Sequence, residues 1–183
     1  MIERLIRFEG LLRGVAVQRG FISPRDADRL FERHVLDSAR AALGVREGDG
    51  RAVDAGSGAG LPGIPIAIAR PQLEVTLVEP RQARIAFLEL AVERLDLRNV
   101  RVTRGRVESL EAEAFDVAFA RAFAPLHDAW ARLRGALAPS GRLVFFAGSS
   151  TEIPLTLDGA VSIQVRRVPV LATSGPLIII GRQ

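Results

Sequence analysis

The stretch Val53-Asp54-Ala55-Gly56-Ser57-Gly58-Ala59-Gly60-Leu61-Pro62-Gly63 decides the fold. It follows one short apolar run and leads into another, so it reads as a strand, a loop and the start of a helix. Four glycines within the eight residues 56–63 let a backbone pass close to a ligand, and the helix start beyond them supplies oriented N–H groups. A tight turn alone needs only one or two glycines. Two ligand classes suit such a loop. Gly58-x-Gly60-x-x-Gly63 satisfies the dinucleotide pattern, but it begins four residues after Asp54 rather than at the strand end. Asp54 is also a poor neighbour for a pyrophosphate. A carboxylate there suits a ligand with a cationic end, such as the ammonium of S-adenosylmethionine (SAM). Glu79 closes the next strand and can accept hydrogen bonds from ribose hydroxyls, a role that NAD and SAM both need. Asp-x-Gly-x-Gly-x-Gly followed by a strand-end acid therefore reads as a SAM site holding Asp54, Gly56, Gly58, Gly60 and Glu79, with NAD as the alternative.

Working outward, short apolar runs alternate with helical stretches after Gly50. The pattern predicts strands over residues 51–55, 74–79, 100–103, 115–120 and 142–147, with helices over 64–70, 82–95 and 126–137 between them. Such runs make an α/β fold whose mostly parallel sheet is buried on both faces. Residues 162–168 and 177–180 are joined by Pro169, Gly175 and Pro176 without a helix, which predicts a closing C-terminal antiparallel hairpin. Upstream, Ile2, Leu5, Ile6, Leu12, Val15 and Ala16 recur at helical spacing over residues 2–17. Ser23-Pro24 then supplies an N-cap and a first-turn proline, with Asp26 three residues on, so a second helix is predicted over 24–43. The expectation is a single domain, 1–183, with an N-terminal helical lead-in (1–50) and an α/β core (51–183).

Composition excludes much else. The chain has 183 residues, 48% of them hydrophobic and 25% charged, with nine Phe and one Trp. That balance makes a globular core rather than a disordered or fibrous chain. Without cysteine there is no disulfide, thiolate metal site or thiol nucleophile, and no metal is expected. No apolar run approaches membrane-spanning length, and Glu3, Arg4, Arg7 and Glu9 interrupt the N-terminus, so a cytoplasmic protein without a membrane partner is expected. All 25 basic residues are Arg. A GC-rich coding sequence accounts for that bias, but Arg also grips phosphates bidentately. A net charge of +4 and a pI near 11.1 lean towards a polyanionic partner. Arg98, Arg101, Arg104 and Arg106 crowd the third strand. A solvated edge explains them; contact with RNA is the other reading.

Absences also narrow the chemistry. Methylation at pyrimidine C5 needs a thiolate, and the only Asn, Asn99, lacks the proline and aromatic neighbours of an adenine-amine methylating loop. What remains is transfer to an atom already nucleophilic, where the protein need only align donor and acceptor. Guanine N7 is such an atom, since it carries no proton. Arg121 ends an apolar strand at the carboxyl edge, where ligands bind in sheets of this kind. His34 and Asp37 fall one turn apart on a helix, where capping or ion pairing explains them as well as function does.

The order Arg33-His34-x-x-Asp37-Ser38, Asp54 to Pro65, Phe87-Leu88, Gly105-Arg106-Val107-Glu108, Arg121-Ala122 and Ala124-Pro125-Leu126 resembles the RsmG family, also called GidB. These are SAM-dependent methyltransferases of Rossmann-like class I fold that act on N7 of a guanine in small-subunit (16S) ribosomal RNA. The resemblance covers roughly residues 25–147. It implies that Gly56 and Leu61 contact the cofactor and that Glu79 holds the ribose. It also implies that Val107 and Glu108 lie along the adenine, and that Arg121 sits beside the methyl donor as the catalytic residue facing the acceptor. The implied partner is ribosomal RNA or the small ribosomal subunit, and a monomer is expected. Ala147-Gly148 stands where the family has Lys-Gly, and Ser174-Gly175-Pro176 where it has Arg-His. A small-molecule methyltransferase and a SAM-binding protein without transfer activity are therefore the alternatives.

Overall fold

Strands buried on both faces build this molecule from a central sheet outward. A computed structural model describes residues 1–148, 150–168 and 174–183. Its strands are β1 (Arg51–Ala55), β2 (Glu74–Glu79), β3 (Val100–Arg104), β4 (Phe115–Ala120), β5 (Leu137–Phe146), β6 (Ala160–Arg166) and β7 (Leu177–Arg182), ordered β3-β2-β1-β4-β5-β7-β6. The pairs among β1 to β5 are parallel. β7 runs antiparallel to both β5 and β6, which is the C-terminal hairpin expected from the sequence. Pro169 of its connection lies outside the described residues.

Ala52, Val75, Leu77, Val117, Phe119, Val144 and Phe146 join one buried cluster, while Val53, Val78, Ala118, Ala120, Leu143 and Phe145 join the other. Both faces are thus covered, as apolar parallel strands require. The first face carries α1 (Ile2–Leu11), α3 (Gly63–Ala69) and α4 (Gln82–Arg94). The second carries α5 (Leu126–Leu133) and the single 3₁₀ turn Val107–Ser109.

Two expectations need correction. The second N-terminal helix is not uniform: a 3₁₀ stretch Pro24–Arg29, a wide π turn Phe31–Leu36, the short α2 (Asp37–Ala39) and a 3₁₀ stretch Arg40–Gly44 follow one another. Ser23 does cap its start, its Oγ accepting from the Arg25 N–H at 3.3 Å. The first helix likewise widens into a π turn over Leu12–Ala16. Apolar spacings of three and four residues fit all these windings, so periodicity cannot tell them apart. Leu137, expected at the end of a helix, instead opens β5 opposite Phe115, because α5 stops before Gly135 and Leu137 is buried against the second cluster.

The N-terminal segment is fixed to the sheet by buried polar contacts. Arg142 in the middle of β5 donates its Nε to the Gly44 carbonyl at 2.7 Å and pairs with Asp49. Asn99 donates to the carbonyls of Ala67 and Leu73 at 3.1 and 3.0 Å, closing the end of α3. α3 can begin where it does because Gly63 has no side chain. A Cβ there would lie 2.3 Å from Leu77 Cδ2 and 2.7 Å from Asp54 Oδ2. Gly63→Ala should therefore destabilise the fold by about 1–3 kcal/mol through overpacking, read as a lower urea midpoint at unchanged slope. A midpoint equal to that of the parent chain would refute the close approach.

Candidate active site

Three strand ends meet at the carboxyl edge: Asp54 in β1, Glu79 in β2 and Arg121 just after β4. The glycine loop passes over them. Ser57 N–H donates to the Val78 carbonyl at 3.0 Å, and the N–H groups of Gly60 and Leu61 donate to the Ser57 carbonyl at 2.7 and 3.1 Å. Gly56 and Gly58 take φ values of 65° and 57°, in the left-handed region that glycine adopts freely. Gly60 is needed for packing: a Cβ there would meet Ile64 Cδ1 at 2.5 Å. Leu61 is half-buried against the first cluster, so these two residues present backbone to the loop interior.

The two acids have different tasks. Asp54 is 0% exposed. Its Oδ2 accepts from the Gly63 N–H at 3.0 Å, while Oδ1 is buried without a partner among the described residues. Burial pushes its pKa up to about 7 despite the Gly63 hydrogen bond. Glu79 is 2% exposed, and both its oxygens hold backbone. Oε2 accepts from Gly58 N–H at 3.0 Å and Oε1 from Arg81 N–H at 2.9 Å, with the Arg84 guanidinium 3.6 Å away. Glu79 thus ties the glycine loop to the start of α4. Val107 is buried in the second cluster. Glu108 beside it is exposed and lies 3.6 Å from Arg132.

Arg121 does not stand free in the cleft. Its side chain is 18% exposed and turns onto the N-terminal segment, donating to Ser38 Oγ at 2.9 Å and to the Arg33 carbonyl at 3.1 Å, with Asp37 Oδ2 3.4 Å away. It also lies over the Phe146 ring, as Arg40 does, at 5.6 and 5.4 Å. His34 Nδ1 lies 3.2 Å from the same guanidinium, with Asp26 3.2 Å from its Nε2. Because Arg121 can only donate, Nδ1 accepts and the ring is neutral. Burial and then the Arg121 charge accordingly hold the His34 pKa down. Asp37 thus forms an ion pair and His34 a hydrogen bond with the arginine that borders the site. Three contributors escaped the sequence reading. Phe123 would touch a Cβ at Gly56 at 2.9 Å, Ser174 donates to Asp37 Oδ1 at 2.6 Å, and Phe146 underlies two guanidiniums. No local pattern signals any of them.

Beside these strand ends, at the carboxyl edges of β4 and β5, opens a cavity of about 710 Å³. Its walls are mostly apolar, from Ala122, Ala124, Pro125, Phe146, Ile153 and Pro154. Ala122 itself takes a φ of 51°, a strained backbone of the kind found at functional sites. Ala147, next to the cavity, is buried in the second cluster and donates its N–H to Pro176. Among the described residues no three metal-ligating side chains converge, and no helix is long and apolar enough to cross a membrane.

The strand order and the loop over β1 define a class I SAM-dependent methyltransferase fold. Solved structures agree on the fold. A predicted O-methyltransferase from Agrobacterium tumefaciens aligns with a TM-score of 0.68 at 19% identity, over 81% of this chain and 80% of that one. The TYW2 protein of M. jannaschii, solved with AdoMet, aligns at 0.63 and 16% identity, over 82% and 75%. The family model described as GidB, rRNA small subunit methyltransferase G, matches residues 1–172, and the chain belongs to that family. Two proteins named ribosomal RNA small subunit methyltransferase G illustrate the likeness. One from Frankia alni is 47% identical over 78% of this chain, and one from Mycobacterium sp. (strain KMS) is 40% identical over 88%. The chain spans 56% of the length of the first and 76% of the second.

The residues present fit SAM. Asp54 Oδ1 is the buried unpartnered acceptor that an ammonium requires, and Gly56 and Gly58 leave the loop without side chains. Because its folded pKa exceeds the ordinary carboxylate value, Asp54 keeps a proton between about pH 4 and 7 that the unfolded chain has released. Stability of the ligand-free protein should fall as pH rises through that window, and Asp54→Asn should remove the slope. The same variant should weaken SAM binding above pH 7 by about 1.5–3 kcal/mol. Urea melts at pH 5 and pH 8, with calorimetric SAM titrations at both, test this. An unchanged slope in Asp54→Asn would assign the pH dependence to another group.

Proposed function

We propose that this chain transfers the SAM methyl group to N7 of a guanine in small-subunit ribosomal RNA, acting as a cytoplasmic monomer. The observation that carries the reading is the apolar cavity at the ends of β4 and β5, directly beside the SAM-fitting strand ends, in a chain of this family. Its mostly apolar walls suit an unstacked base. When bound, SAM supplies an electrophilic methyl carbon on its sulfonium. Asp54 holds the ammonium, Glu79 the ribose, and the Val107-Glu108 turn borders the adenine. Gly56, Gly58, Gly60 and Leu61 contribute backbone. N7 carries no proton, so the lining residues need only align the acceptor. Arg121 is a positioning residue in this reading, since its guanidinium is turned onto the N-terminal segment. It follows β4, the strand paired with β1, and its head fixes the N-terminal segment and lies over Phe146 of the cavity wall, so it sets where the base meets the methyl donor.

Small ribosomal subunits incubated with the protein and labelled SAM, then digested to nucleosides, should yield label in 7-methylguanosine. Label in ribose, in adenine or only in small molecules would reject this assignment. Ala124→Phe should fill the cavity and lower kcat/KM for RNA by about tenfold or more, while SAM affinity stays within about twofold. Equal loss of both would mean that the cavity does not house the acceptor.

A further inference from the structure

The second face of the sheet is left thin beside β3, where one 3₁₀ turn stands in place of a covering helix. A groove of about 570 Å³ lies there, lined by Arg51, Thr76, Arg98, Arg101 and Thr103, with Glu74 and Glu111 on its walls. β3 is also the outer strand of the sheet, so its outward N–H groups lack ladder partners. Val100 and Val102 pack on the first cluster. By alternation Arg101 faces the groove and Arg104 the opposite side. Arg106 continues the line towards the cofactor loop, since Gly105 N–H donates to the Glu79 carbonyl.

Charge decides what this edge fits. Residues 97–107 contain four Arg and no acid. The flanking acids are engaged elsewhere, Asp96 by Arg98 at 3.4 Å and Glu108 by Arg132 at 3.6 Å. Arg101, Arg104 and Arg106 are exposed, and among the described residues their guanidiniums have no ion-pair or hydrogen-bond partner. The Cα atoms of residues 101 and 104 lie about 10 Å apart along the strand, with the two side chains leaving the edge on opposite faces.

We propose that the β3 edge is an RNA-docking ridge, on which Arg101, Arg104 and Arg106 grip the phosphate backbone of the substrate RNA and lead it to the cofactor end of the sheet. This rests on the reading of ribosomal RNA as the substrate. No aromatic side chain interleaves with the arginines, so the ridge contacts backbone rather than bases and supplies affinity and register rather than sequence choice.

The test compares the parent chain with the triple variant Arg101→Ala, Arg104→Ala, Arg106→Ala and with its Lys counterpart. A 16S RNA transcript and intact small subunits serve as probes over a salt series. Loss of three phosphate contacts should flatten the plot of log affinity against log salt by about 2 for single-stranded contacts and weaken binding about tenfold near 0.1 M salt. KM for RNA should rise with kcat and SAM affinity unchanged, and the Lys variant should recover most of the slope, since it keeps the point charges. A parent-like slope and KM in the Ala variant would overturn the ridge while leaving the methyltransferase reading intact. Loss of binding to subunits but not to the transcript would assign the ridge to a protein partner and likewise overturn it. A parent chain that neither binds nor methylates ribosomal RNA overturns both readings together.

Discussion

Everything at the carboxyl edge depends on a buried carboxylate held by one backbone amide. Asp54 is fully buried, yet only Oδ2 is satisfied, by Gly63 N–H at 3.0 Å. That single contact fixes where α3 starts, and the start of α3 fixes the far end of the glycine loop. It is available only because Gly63 lacks a Cβ. The unsatisfied Oδ1 is expensive in the free protein, and burial raises the pKa accordingly. A cationic ligand end reverses that penalty. The site is therefore built with a local instability that ligand binding relieves.

Glu79 and Arg121 spread that constraint. Glu79 joins the loop of β1 to the first turn of α4 by accepting from Gly58 and Arg81. Arg121 joins the end of β4 to the N-terminal segment through Arg33, Ser38 and Asp37. Asp37 in turn receives Ser174 from the approach to β7. One cofactor-edge arginine thus couples the lead-in segment, the sheet and the C-terminal hairpin. A Lys, with a point charge in place of a planar fork, could not reach these partners together.

The sheet was legible because strands buried on both faces appear as unbroken apolar runs, and β1, β2 and β4 occupy the expected residues. The glycine loop was legible because its residue types are demanded by backbone geometry. The N-terminal windings were not, since one apolar spacing serves 3₁₀, α and π turns alike. Nor were the contacts that shape the site: Arg121 meets Ser38 across 83 positions and Ser174 meets Asp37 across 137. Only the folded chain brings these together. The sequence also shows that Glu79 is a strand-end acid, but not that both its oxygens hold backbone.

The arginines divide by the same logic. Arg40, Arg121 and Arg142 are covered and paired, and they hold the lead-in segment against the sheet. Those of β3 have no ion-pair or hydrogen-bond partner for their guanidiniums among the described residues. Blunting an exposed edge against pairing with other chains is one use for such charges, and the opposite edge of the sheet measures how many that use needs. β6 exposes Val161 and Val165 and carries a single charged residue, Arg166. Protection of an edge therefore does not require a run of arginines in this fold. The excess on β3 lies on the strand adjacent to β2, whose end carries Glu79, so a polyanion drawn to it is delivered towards the end of the sheet where the SAM-fitting loop and the apolar cavity open.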